Sequence, residues 1–356
     1  MSNLKTILVT GGLGFIGSHT IVELFNKEFL KSKGINDEFE IIIVDDCSSC
    51  SDKIIPVLEK MINHKIFFYK VSLLDKKALE EPFMNHKIFA IIHFAGKKSV
   101  NESIEKPLFY YENNFIGTFN LIEICLKYKV NNFIFSSSCT VYGNREDKPN
   151  ENEKFLFPIN PYGKSKLFIE YMLRDTAKVH NDFKVILLRY CNPVSSHSSG
   201  LIGEDPTIEP TNLFPVIQNL VRGTIKELII FGNDYPTKDG TCIRDYIHVT
   251  DIAQGHILVL TLFNKNKETF FKDNYAIYNM GTNKGYSVKE IVETYEKVNG
   301  IKINYRYSER RKGDAAIALP DCTKIYKDLG WIPKIDLEEM CRNSYNYIKK
   351  NNNNDK

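Results

Sequence analysis

Three features that mark other classes of protein are missing from this sequence of 356 residues. Its eight cysteines do not follow the spacing of a disulfide framework, which favours reduced thiols. No apolar run reaches the ~18 residues that cross a bilayer, and the N-terminus leads into a strand without a signal peptide. Lys and Arg number 47 and Asp and Glu 44, so no basic surface for nucleic acid or membrane is expected. Together these absences predict a cytoplasmic protein.

One pair of cysteines has a spacing with chemical meaning. Cys47 and Cys50 form a CxxC, which is found in zinc sites and in redox motifs. A zinc site of that type needs a second pair of ligands, and the sequence offers no matching CxxC. We therefore expect no metal site.

What the sequence has in abundance is short apolar runs that alternate with helical patterns. The runs before residue 191 are TILVT, FEIIIVDD, KIFFYKV, FAIIHFAG, NNFIFSSS and FKVILLRY. Continuous Val, Ile and Phe, rather than alternation with polar residues, indicate strands that are buried on both faces of a parallel sheet. The predicted fold class is α/β, with a doubly wound parallel-sheet Rossmann domain.

After residue 191 the predicted helices and strands are shorter and of mixed type, and Pro and Gly separate them. We predict a Rossmann domain over 1–191, to which 240–262 returns, and a smaller α+β substrate-binding lobe over 192–350. The low-complexity tail over 351–356 is predicted to be disordered.

A glycine-rich turn between the first strand and the first helix indicates a dinucleotide site. In VTGGLGFIGSH the glycines at positions 11, 14 and 17 allow a tight turn and close approach of the backbone to a pyrophosphate at the helix N-terminus. The next strand ends in Asp45, whose carboxylate can bind both ribose hydroxyls and repel a 2′-phosphate, so NAD is favoured over NADP. An ordinary glycine turn with a strand-end aspartate is the structural alternative. The candidate cofactor-binding residues are Gly11, Gly14, Phe15, Ile16, Gly17 and Asp45.

The stretch NPYGKSK places a phenol and an ammonium group one helical turn apart. Tyr162 and Lys166 share a helix face, whereas Lys164 points elsewhere. A phenol with a pKa of ~10 is a poor base at neutral pH, and a nearby ammonium group with a nicotinamide cation favours the phenolate. Ser138 adds a hydroxyl at a strand end, where open α/β sheets bind ligands. The alternatives are a surface helix with incidental Tyr and Lys, and a turn-capping role for Ser138.

These motifs resemble the extended short-chain dehydrogenase/reductase family over nearly the whole chain. Six segments are similar to the nucleotide-sugar epimerases of that family: HFAGKKSVNESIEKPLFYYENN, FIFSSSCTVYG, NPYGKSK, IGEDP, FGNDYPTKDGTCIRDYIHV and RRKGDAAIALPD. The resemblance implies a tightly held NAD+ and reversible interconversion of UDP-galactose and UDP-glucose, through a 4-keto sugar that rotates before it is reduced on its other face. Tyr162 would remove the O4 proton, Lys166 would lower the pKa of Tyr162 and hold the nicotinamide ribose, and Ser138 would assist proton transfer.

The resemblance also implies further ligand contacts. The additional cofactor contacts are Phe94, Ala95, Gly96, Lys98 and Asn113. The substrate contacts are Ser138, Asn192, Asn212, Leu213, Phe231, Arg244, Arg311, Asp314 and Ala318. The two arginines would hold the diphosphate, Asp314 the uridine ribose, and Phe231 would pack near the uracil. Any one of these residues alone is more often structural than functional.

Two positions that bear on function can be compared with the family pattern. Ser72 replaces an aspartate that usually binds the adenine amino group, so NAD would be held less firmly. Ala318 aligns with a position that is Tyr in strict relatives and small in relaxed ones. A small side chain there leads to the hypothesis that UDP-GlcNAc and UDP-GalNAc are substrates as well.

Other interpretations remain open. Another nucleotide-sugar epimerase or a decarboxylase of the same family would share these motifs. A 4,6-dehydratase is disfavoured because Cys139 and Thr140 stand where its acid–base pair is expected. A non-catalytic NAD-binding sensor is the rival from another class, although such proteins commonly lose the tyrosine or the lysine.

The resemblance further implies a homodimer. The family's interface involves the helices around IEKPLFYYENN and YGKSKLFIEYML. Leu167, Phe168 and Tyr171 would supply apolar side chains to it, unless some of them face the sheet instead.

Overall fold

The central element of the structure is a sheet built from the apolar runs of the first part of the chain. The structure is a computed structural model that describes residues 4–145, 147–204, 212–264, 268–311 and 314–352. In chain order the strands are β1 (Leu4–Thr10), β2 (Glu38–Asp45), β3 (Ile66–Lys70), β4 (Ala90–His93), β5 (Asn132–Ser138), β6 (Lys184–Tyr190), β7 (Asn192–Val194), β8 (Leu228–Phe231), β9 (Ile243–Arg244), β10 (Tyr246–His248), β11 (Tyr275–Met280), β12 (Tyr286–Ser287), β13 (Tyr305–Ser308) and β14 (Ile317–Ala318).

Helices alternate with these strands. They are α1 (Phe15–Leu24), α2 (Lys27–Ser32), α3 (Ile55–Ile62), α4 (Lys76–Leu79), α5 (Glu81–Asn85), α6 (Val100–Glu105), α7 (Pro107–Tyr110), α8 (Gly117–Lys127), α9 (Pro161–Val179), α10 (Leu213–Arg222), α11 (Val249–Leu260), α12 (Val288–Asn299), α13 (Thr323–Leu329) and α14 (Leu337–Asn352). A turn of π-helix, Tyr111–Ile116, joins α7 to α8.

Seven strands form the main sheet in the order β11-β6-β5-β4-β1-β2-β3. β1 pairs in parallel with β2 and β4, so that Val9 lies between Ile43 and Ile92. Leu8 and Val9 are consecutive residues whose side chains point to opposite faces of the sheet, and both are buried, so both faces are covered. The strand order reverses between β1 and β4, where open α/β sheets bind ligands at the carboxyl ends of their strands. The predicted doubly wound Rossmann fold is confirmed.

The chain divides into two compact units. The first comprises 1–141, 158–189 and 253–278, and the second comprises 142–157, 190–252 and 279–356. Each has its own apolar core: Leu8, Phe133 and Leu187 are buried in the first, and Phe214 packs on Tyr295 in the second.

These boundaries differ from the predicted ones. The segment that returns to the first unit is 253–278 rather than 240–262. The reason is strand pairing: β9 pairs with β12, and β10 pairs with β7, all within the second unit. Ile277 on β11, by contrast, packs into the core of the first unit.

The predicted disordered tail also differs from the structure at its first two residues. Asn351 and Asn352 are the last residues of α14. The side chain of Asn351 donates to the carbonyl oxygen of Tyr347 over 2.7 Å, which holds the end of the helix. Residues 353–356, and the last two residues of the IGEDP segment, lie outside the described part of the chain. Within the described residues, we find no helix whose length and apolar character would let it cross a membrane.

Candidate active site

The turn after β1 requires its glycines. Gly11 has a φ of +67°, and a Cβ atom there would lie 2.7 Å from the backbone nitrogen of Ala95. A Cβ atom at Gly17 would overlap the carbonyl oxygen of Gly11. Side chains at these positions would push α1 away from the ends of β1 and β4, so the glycines keep the helix N-terminus against the sheet edge.

The N-terminus of α1 offers hydrogen-bond donors that are not capped by a side chain. The helix begins at Phe15, and its N-cap residue Gly14 has no side chain to accept from the first turn. The first N–H groups of a helix lack partners within the helix and carry the positive end of its dipole. An anionic pyrophosphate fits this donor set, beside the half-buried side chains of Phe15 and Ile16.

Asp45 ends β2 next to this turn. Its Oδ2 accepts from the backbone N–H of Leu13 over 3.2 Å, and its Oδ1 accepts from the backbone N–H of Cys47 over 3.0 Å and from the thiol of Cys50 over 3.3 Å. Burial raises the pKa of this carboxyl group above its usual value. A carboxylate has about four acceptor sites, so a position remains for a ribose hydroxyl.

The loop after β4 lies against the glycine turn. The backbone N–H of Ala95 donates to the carbonyl oxygen of Thr10 over 3.1 Å. The ring of Phe94 packs on His256, with 4.9 Å between the ring centres. Nζ of Lys98 lies 6.0 Å from the centre of the Phe15 ring, which brings an ammonium charge to the N-terminus of α1. This position suits the predicted contact of Lys98 with a pyrophosphate.

Asn114 holds this loop, although no pattern in the sequence indicates it. The buried side chain of Asn114 accepts from the backbone N–H of Lys97 over 2.8 Å and donates to the carbonyl oxygen of the same residue over 3.0 Å. Its amide oxygen would lie 3.1 Å from a Cβ atom at Gly96, so that glycine leaves space for it. The neighbouring Asn113, a predicted cofactor contact, is half-buried and donates to the carbonyl oxygen of Phe109 over 2.8 Å.

A buried chain of hydrogen bonds connects the glycine turn with the π-helix. The hydroxyl of Thr118 donates to the carbonyl oxygen of Asn114 over 2.6 Å, so its oxygen accepts from Nε2 of His93 over 2.8 Å. Nδ1 of His93 then accepts from the hydroxyl of Thr10 over 2.6 Å. Burial lowers the pKa of His93 to about 3, and the neutral ring agrees with these roles. This histidine was also missed, because its only signal is one polar residue inside an apolar strand.

α9 carries the predicted reactive pair. Asn160 caps the helix by accepting from the backbone N–H of Gly163 over 2.8 Å. A Cβ atom at Gly163 would lie 3.2 Å from the carbonyl oxygen of Thr140, so a glycine lets the helix start close to the end of β5. Lys166 is buried, whereas Lys164 is exposed, as the helical spacing predicts.

Burial governs the protonation of this pair. It raises the pKa of Tyr162 above the ordinary phenol value, although the hydrogen bond with Ser138 acts in the opposite direction. It lowers the pKa of Lys166 to about 8. Nζ of Lys166 lies 5.9 Å from the centre of the Tyr162 ring. The expected lowering of the Tyr162 pKa is therefore not produced by the protein groups alone, and the positive charge of a nicotinamide ring is needed in addition.

Ser138 joins the pair at the end of β5. Its hydroxyl is hydrogen-bonded to Tyr162, and its oxygen accepts from the backbone N–H and the hydroxyl of Thr140 over 3.2 and 2.9 Å. Because Thr140 donates twice, the hydroxyl proton of Ser138 is directed at the oxygen of Tyr162. Ser138 therefore caps a turn and contacts the phenol at the same time. The structure brings all three predicted catalytic residues together.

A buried ion pair, which no pattern in the sequence indicates, fixes α9 on the sheet. Arg189 on β6 donates to Glu170 through Nε over 2.9 Å and through Nη2 over 2.6 Å. The hydroxyl of Ser137 donates to the same carboxylate over 2.5 Å. Glu170 follows Lys166 by one helical turn, so this bidentate pair sets the height of Lys166 relative to β5.

In the second unit, Arg244 converges with two charged residues that lie about 70 positions later in the chain, Arg311 and Asp314. Nη2 of Arg244 lies 3.6 Å from Oδ1 of Asp314, and Nε of Arg311 donates to Oδ2 of Asp314 over 3.1 Å. Nη1 of Arg244 donates to the carbonyl oxygens of Ile243 and Ala315, each over 2.8 Å, which holds the guanidinium group in place. Two guanidinium groups around one carboxylate leave an excess of positive charge that suits a diphosphate.

Two aromatic residues border this charged cluster. The guanidinium group of Arg311 lies 4.9 Å from the ring centre of Phe231, and that of Arg310 lies 4.2 Å from the ring centre of Tyr235. Tyr235 is 4 % exposed, and its hydroxyl has no hydrogen-bond partner among the described residues. A buried polar group without a partner costs about 1–3 kcal/mol. Tyr235 was not among the residues found from the sequence.

The remaining predicted substrate contacts differ in their surroundings. Ala318 and Arg244 are register partners on adjacent strands, so Ala318 lies beside the charged cluster. The backbone and side-chain N–H groups of Asn192 both donate to the carbonyl oxygen of Asp245, over 2.9 and 3.2 Å. Exposed Asn212 precedes α10, and Leu213 starts that helix and packs against the second core. Asn192 and Leu213 therefore also have structural contacts.

Comparisons with known proteins agree with this geometry. A family model described as GDP-mannose 4,6 dehydratase matches residues 8–344. UDP-glucose 4-epimerase of Bacillus subtilis (strain 168) is 44% identical over 347 residues, which cover 98% of this chain and 98% of that protein. The crystal structure of UDP-glucose 4-epimerase from Bifidobacterium longum in complex with NAD+ and UDP is 40% identical, with a TM-score of 0.88 over 98% of this chain and 99% of that one. The UDP-Glc/GlcNAc 4-epimerase from Campylobacter jejuni is 37% identical, with a TM-score of 0.80 over 97% of this chain and 99% of that one.

The doubly wound fold and the Ser–Tyr–Lys arrangement define an enzyme of the extended short-chain dehydrogenase/reductase type, and the resemblance seen in the sequence is confirmed. Within that class, the chain is more than 40% identical to UDP-glucose 4-epimerases over nearly its full length, which identifies its family. The chain belongs to the UDP-glucose 4-epimerase family.

Proposed function

We propose that this protein interconverts UDP-galactose and UDP-glucose by reversible epimerisation at C4 of the sugar, a reaction of galactose metabolism. The observation that carries the proposal is the hydrogen bond between Ser138 and Tyr162, with the ammonium group of Lys166 held one helical turn along. The relative in Bacillus subtilis is a UDP-glucose 4-epimerase, and the one from Bifidobacterium longum was crystallised with NAD+ and UDP.

NAD is the cofactor that fits the first unit. The donors at the N-terminus of α1 would hold the pyrophosphate, with Lys98 beside it. Asp45 would accept from a ribose hydroxyl, and its negative charge disfavours the 2′-phosphate of NADP. Bound NAD+ supplies the acceptor and donor of hydride at C4.

The chain's own residues handle the proton of the sugar O4. Tyr162 takes that proton as C4 is oxidised to a 4-keto sugar, and returns it when C4 is reduced on its other face. Ser138 donates to the phenol oxygen and stabilises it while it carries negative charge. The buried ammonium group of Lys166 supplies positive charge to the same region.

The second unit would bind the UDP group. Arg244 and Arg311 would hold the diphosphate, Asp314 a ribose hydroxyl, and Phe231 the uracil ring. We add Tyr235 to this set. Its buried hydroxyl needs an acceptor, and its ring centre lies 4.2 Å from the guanidinium group of Arg310, the residue before Arg311. An oxygen of the UDP group would satisfy it.

A second part of the proposal concerns the breadth of substrates. Ala318 lies beside Arg244, and its small side chain would leave space for a 2-acetamido group. UDP-GlcNAc and UDP-GalNAc would then be interconverted as well. The relative from Campylobacter jejuni is a UDP-Glc/GlcNAc 4-epimerase.

A 4,6-dehydratase activity is disfavoured, although the matching family model carries that description. Elimination of water needs an acid–base pair after the serine strand, and this chain has Cys139 and Thr140 there. The thiol of Cys139 donates to the carbonyl oxygen of Arg189 over 3.3 Å, and Thr140 donates to Ser138. Neither residue carries a carboxyl group.

The proposal includes a homodimer in the cytosol. Apolar side chains that are exposed on α7, the π-helix, α8 and α9 would form the interface: Leu108, Phe109, Ile116, Phe119, Phe168 and Tyr171. Leu167 is buried and takes no part. A cytosolic location agrees with the absence of disulfides among the eight cysteines, all of which lie in described segments. Light scattering should give twice the chain mass for the wild type and the monomer mass for Phe168→Glu, and a monomeric wild type would exclude the dimer.

The activity is tested by incubating the purified protein with UDP-galactose, without added NAD, and following the anomeric proton signals by NMR. We expect UDP-glucose to accumulate until the two sugars reach equilibrium. Conversion only after NAD+ is added would show weak cofactor retention, as expected from Ser72. No conversion under either condition would exclude this substrate pair.

A further inference from the structure

The loop after Asp45 brings together three potential metal ligands. One ligand atom each from Asp45, Cys47 and Cys50 lies within 4.8 Å of the other two. Asp45 is buried, whereas both cysteines are half-buried, so solvent ions can reach them. The sequence has a CxxC without a second pair of ligands, and the fold supplies the carboxylate of Asp45 as a third metal ligand.

We propose that Asp45, Cys47 and Cys50 form a binding site for a thiophilic divalent cation, with Zn²⁺ as the representative ion. Two thiolates and a carboxylate are ligands that zinc accepts, and three protein ligands leave the fourth tetrahedral position to water. With Zn–S bonds of about 2.3 Å, two sulfur ligands lie about 3.8 Å apart. The ligand atoms therefore need to approach one another by about 1 Å at most.

The hydrogen bonds of the loop already aim its ligands at one point. The thiol of Cys50 donates to Oδ1 of Asp45 over 3.3 Å, and the backbone N–H of Cys47 donates to the same oxygen over 3.0 Å. Cys47 adopts a φ of +58°, which turns the chain back towards Asp45. A metal ion would replace the Cys50 thiol proton, and both thiols would release their protons to solvent on binding.

The charges around the loop favour a cation. Besides Asp45, this segment carries two more carboxylates, those of Asp46 beside it and of Asp52 two residues after Cys50. Lys70 opposes them, but its ammonium group lies 3.2 Å from Asp52 and pairs with it. Lys97 also reaches this loop, and its Nζ donates to the hydroxyl of Ser48 over 2.7 Å. A divalent ion would offset the negative charge that the carboxylates and thiolates bring to this loop.

A second cluster of similar composition does not support the same inference. Ligand atoms of Cys191, Asp245 and Cys322 also lie within 4.8 Å of one another. Asp245 is fully buried and accepts three hydrogen bonds from Thr282 and Asn283, each between 2.7 and 2.8 Å. These hydrogen bonds use most of the lone pairs of the carboxylate.

The metal site shares Asp45 with the ribose contact assigned under the proposed function. On that assignment, metal and NAD+ compete for one carboxylate, so bound Zn²⁺ weakens cofactor binding. The metal site itself depends only on the three side chains and can be tested without any sugar substrate.

The test is a calorimetric titration of the reduced, full-length protein with Zn²⁺, after bound nucleotide has been removed with charcoal. We expect one Zn²⁺ per chain, and at least tenfold weaker binding by the double variant Cys47→Ser/Cys50→Ser. Ser49→Ala, an exposed change in the same loop, should bind Zn²⁺ like the wild type. Co²⁺ should give a thiolate-to-metal charge-transfer band that the double variant lacks, while circular dichroism confirms that both variants fold.

Failure to bind Zn²⁺, equal affinity in the double variant, or a Co²⁺ complex without the charge-transfer band would each overturn the proposal. Repeating the titration with excess NAD+ separates the two assignments of Asp45. Weaker Zn²⁺ binding in the presence of NAD+ would support Asp45 both as a metal ligand and as the ribose contact. Cysteine-dependent binding that NAD+ does not affect would support the metal site and contradict the ribose contact.

Discussion

Nζ of Lys166 donates a hydrogen bond of 2.7 Å to the carbonyl oxygen of Ser136. This contact ties α9 to β5 two residues before Ser138, whose hydroxyl meets Tyr162. The lysine is 5 % exposed, so an ammonium charge is held in a site that penalises it. The arrangement of Ser138, Tyr162 and Lys166 is therefore built into the packing of one helix on one strand.

Lys166→Met should change how stability depends on pH. Burial lowers the pKa of Lys166 from 10.5 to about 8, so between these values the unfolded chain binds more protons than the folded chain. The buried charge lowers the free energy of unfolding of the wild type at pH 8. This free energy should rise by about 2 kcal/mol between pH 8 and pH 10, because Lys166 loses its proton in the folded chain before it does in the unfolded chain. Urea unfolding of wild type and variant at both pH values should show this difference in their free energies of unfolding.

The exposed Lys164 offers a matched control, since Lys164→Met should follow the wild type at both pH values. An equal pH response in wild type and Lys166→Met would contradict a charged, buried Lys166.

Asp45→Asn should weaken NAD+ binding about 10- to 100-fold, since a hydrogen bond to a charged group contributes about 1.5–3 kcal/mol. Calorimetry with NAD+ measures the loss. Asp46→Asn is the control, because Asp46 is exposed and accepts from the backbone N–H of Ser48 over 2.8 Å. Unchanged affinity in Asp45→Asn would remove Asp45 from the cofactor site.

Tyr235→Phe should raise the dissociation constant for UDP about tenfold without lowering the thermal midpoint. The hydroxyl has no partner in the protein part that is described, so its removal costs the free protein nothing while the ligand loses a donor. Tyr307→Phe, at a tyrosine 38 % exposed, is the comparison. If UDP bound equally well to Tyr235→Phe, the hydroxyl would have no role in substrate binding.

Ala318→Tyr should abolish turnover of UDP-GalNAc and keep most of the turnover of UDP-galactose. A tyrosine beside Arg244 would fill the space for a 2-acetamido group. Ile317→Tyr changes the exposed neighbour, which faces the opposite side of the strand, and should affect neither substrate. A wild type that converts UDP-galactose but not UDP-GalNAc would refute the broader specificity before any variant is made.

Local patterns in the sequence were sufficient to predict the strands of the main sheet and the shared helix face of Tyr162 and Lys166. Apolar runs and a four-residue spacing depend on neighbouring residues alone, so they can be read without the fold. Asp45 could be placed for the same reason, since it directly follows an apolar strand.

Other features depend on partners that are distant in the chain. His93 lies between Thr10 and Thr118, and Glu170 pairs with Arg189 on the next strand of the sheet. The hydroxyl of Tyr235 is notable only because the fold buries it. Such pairings are set by tertiary packing, and a single sequence carries no signal for them.

The role of Tyr162 in moving the O4 proton is tested most directly by the turnover of UDP-galactose in Tyr162→Phe. We expect turnover to fall by about 10²- to 10⁴-fold while the amount of bound NAD stays the same. Tyr171→Phe, at an exposed tyrosine on the same helix, should keep the wild-type rate. Epimerisation by Tyr162→Phe at the wild-type rate would contradict the proposed chemistry.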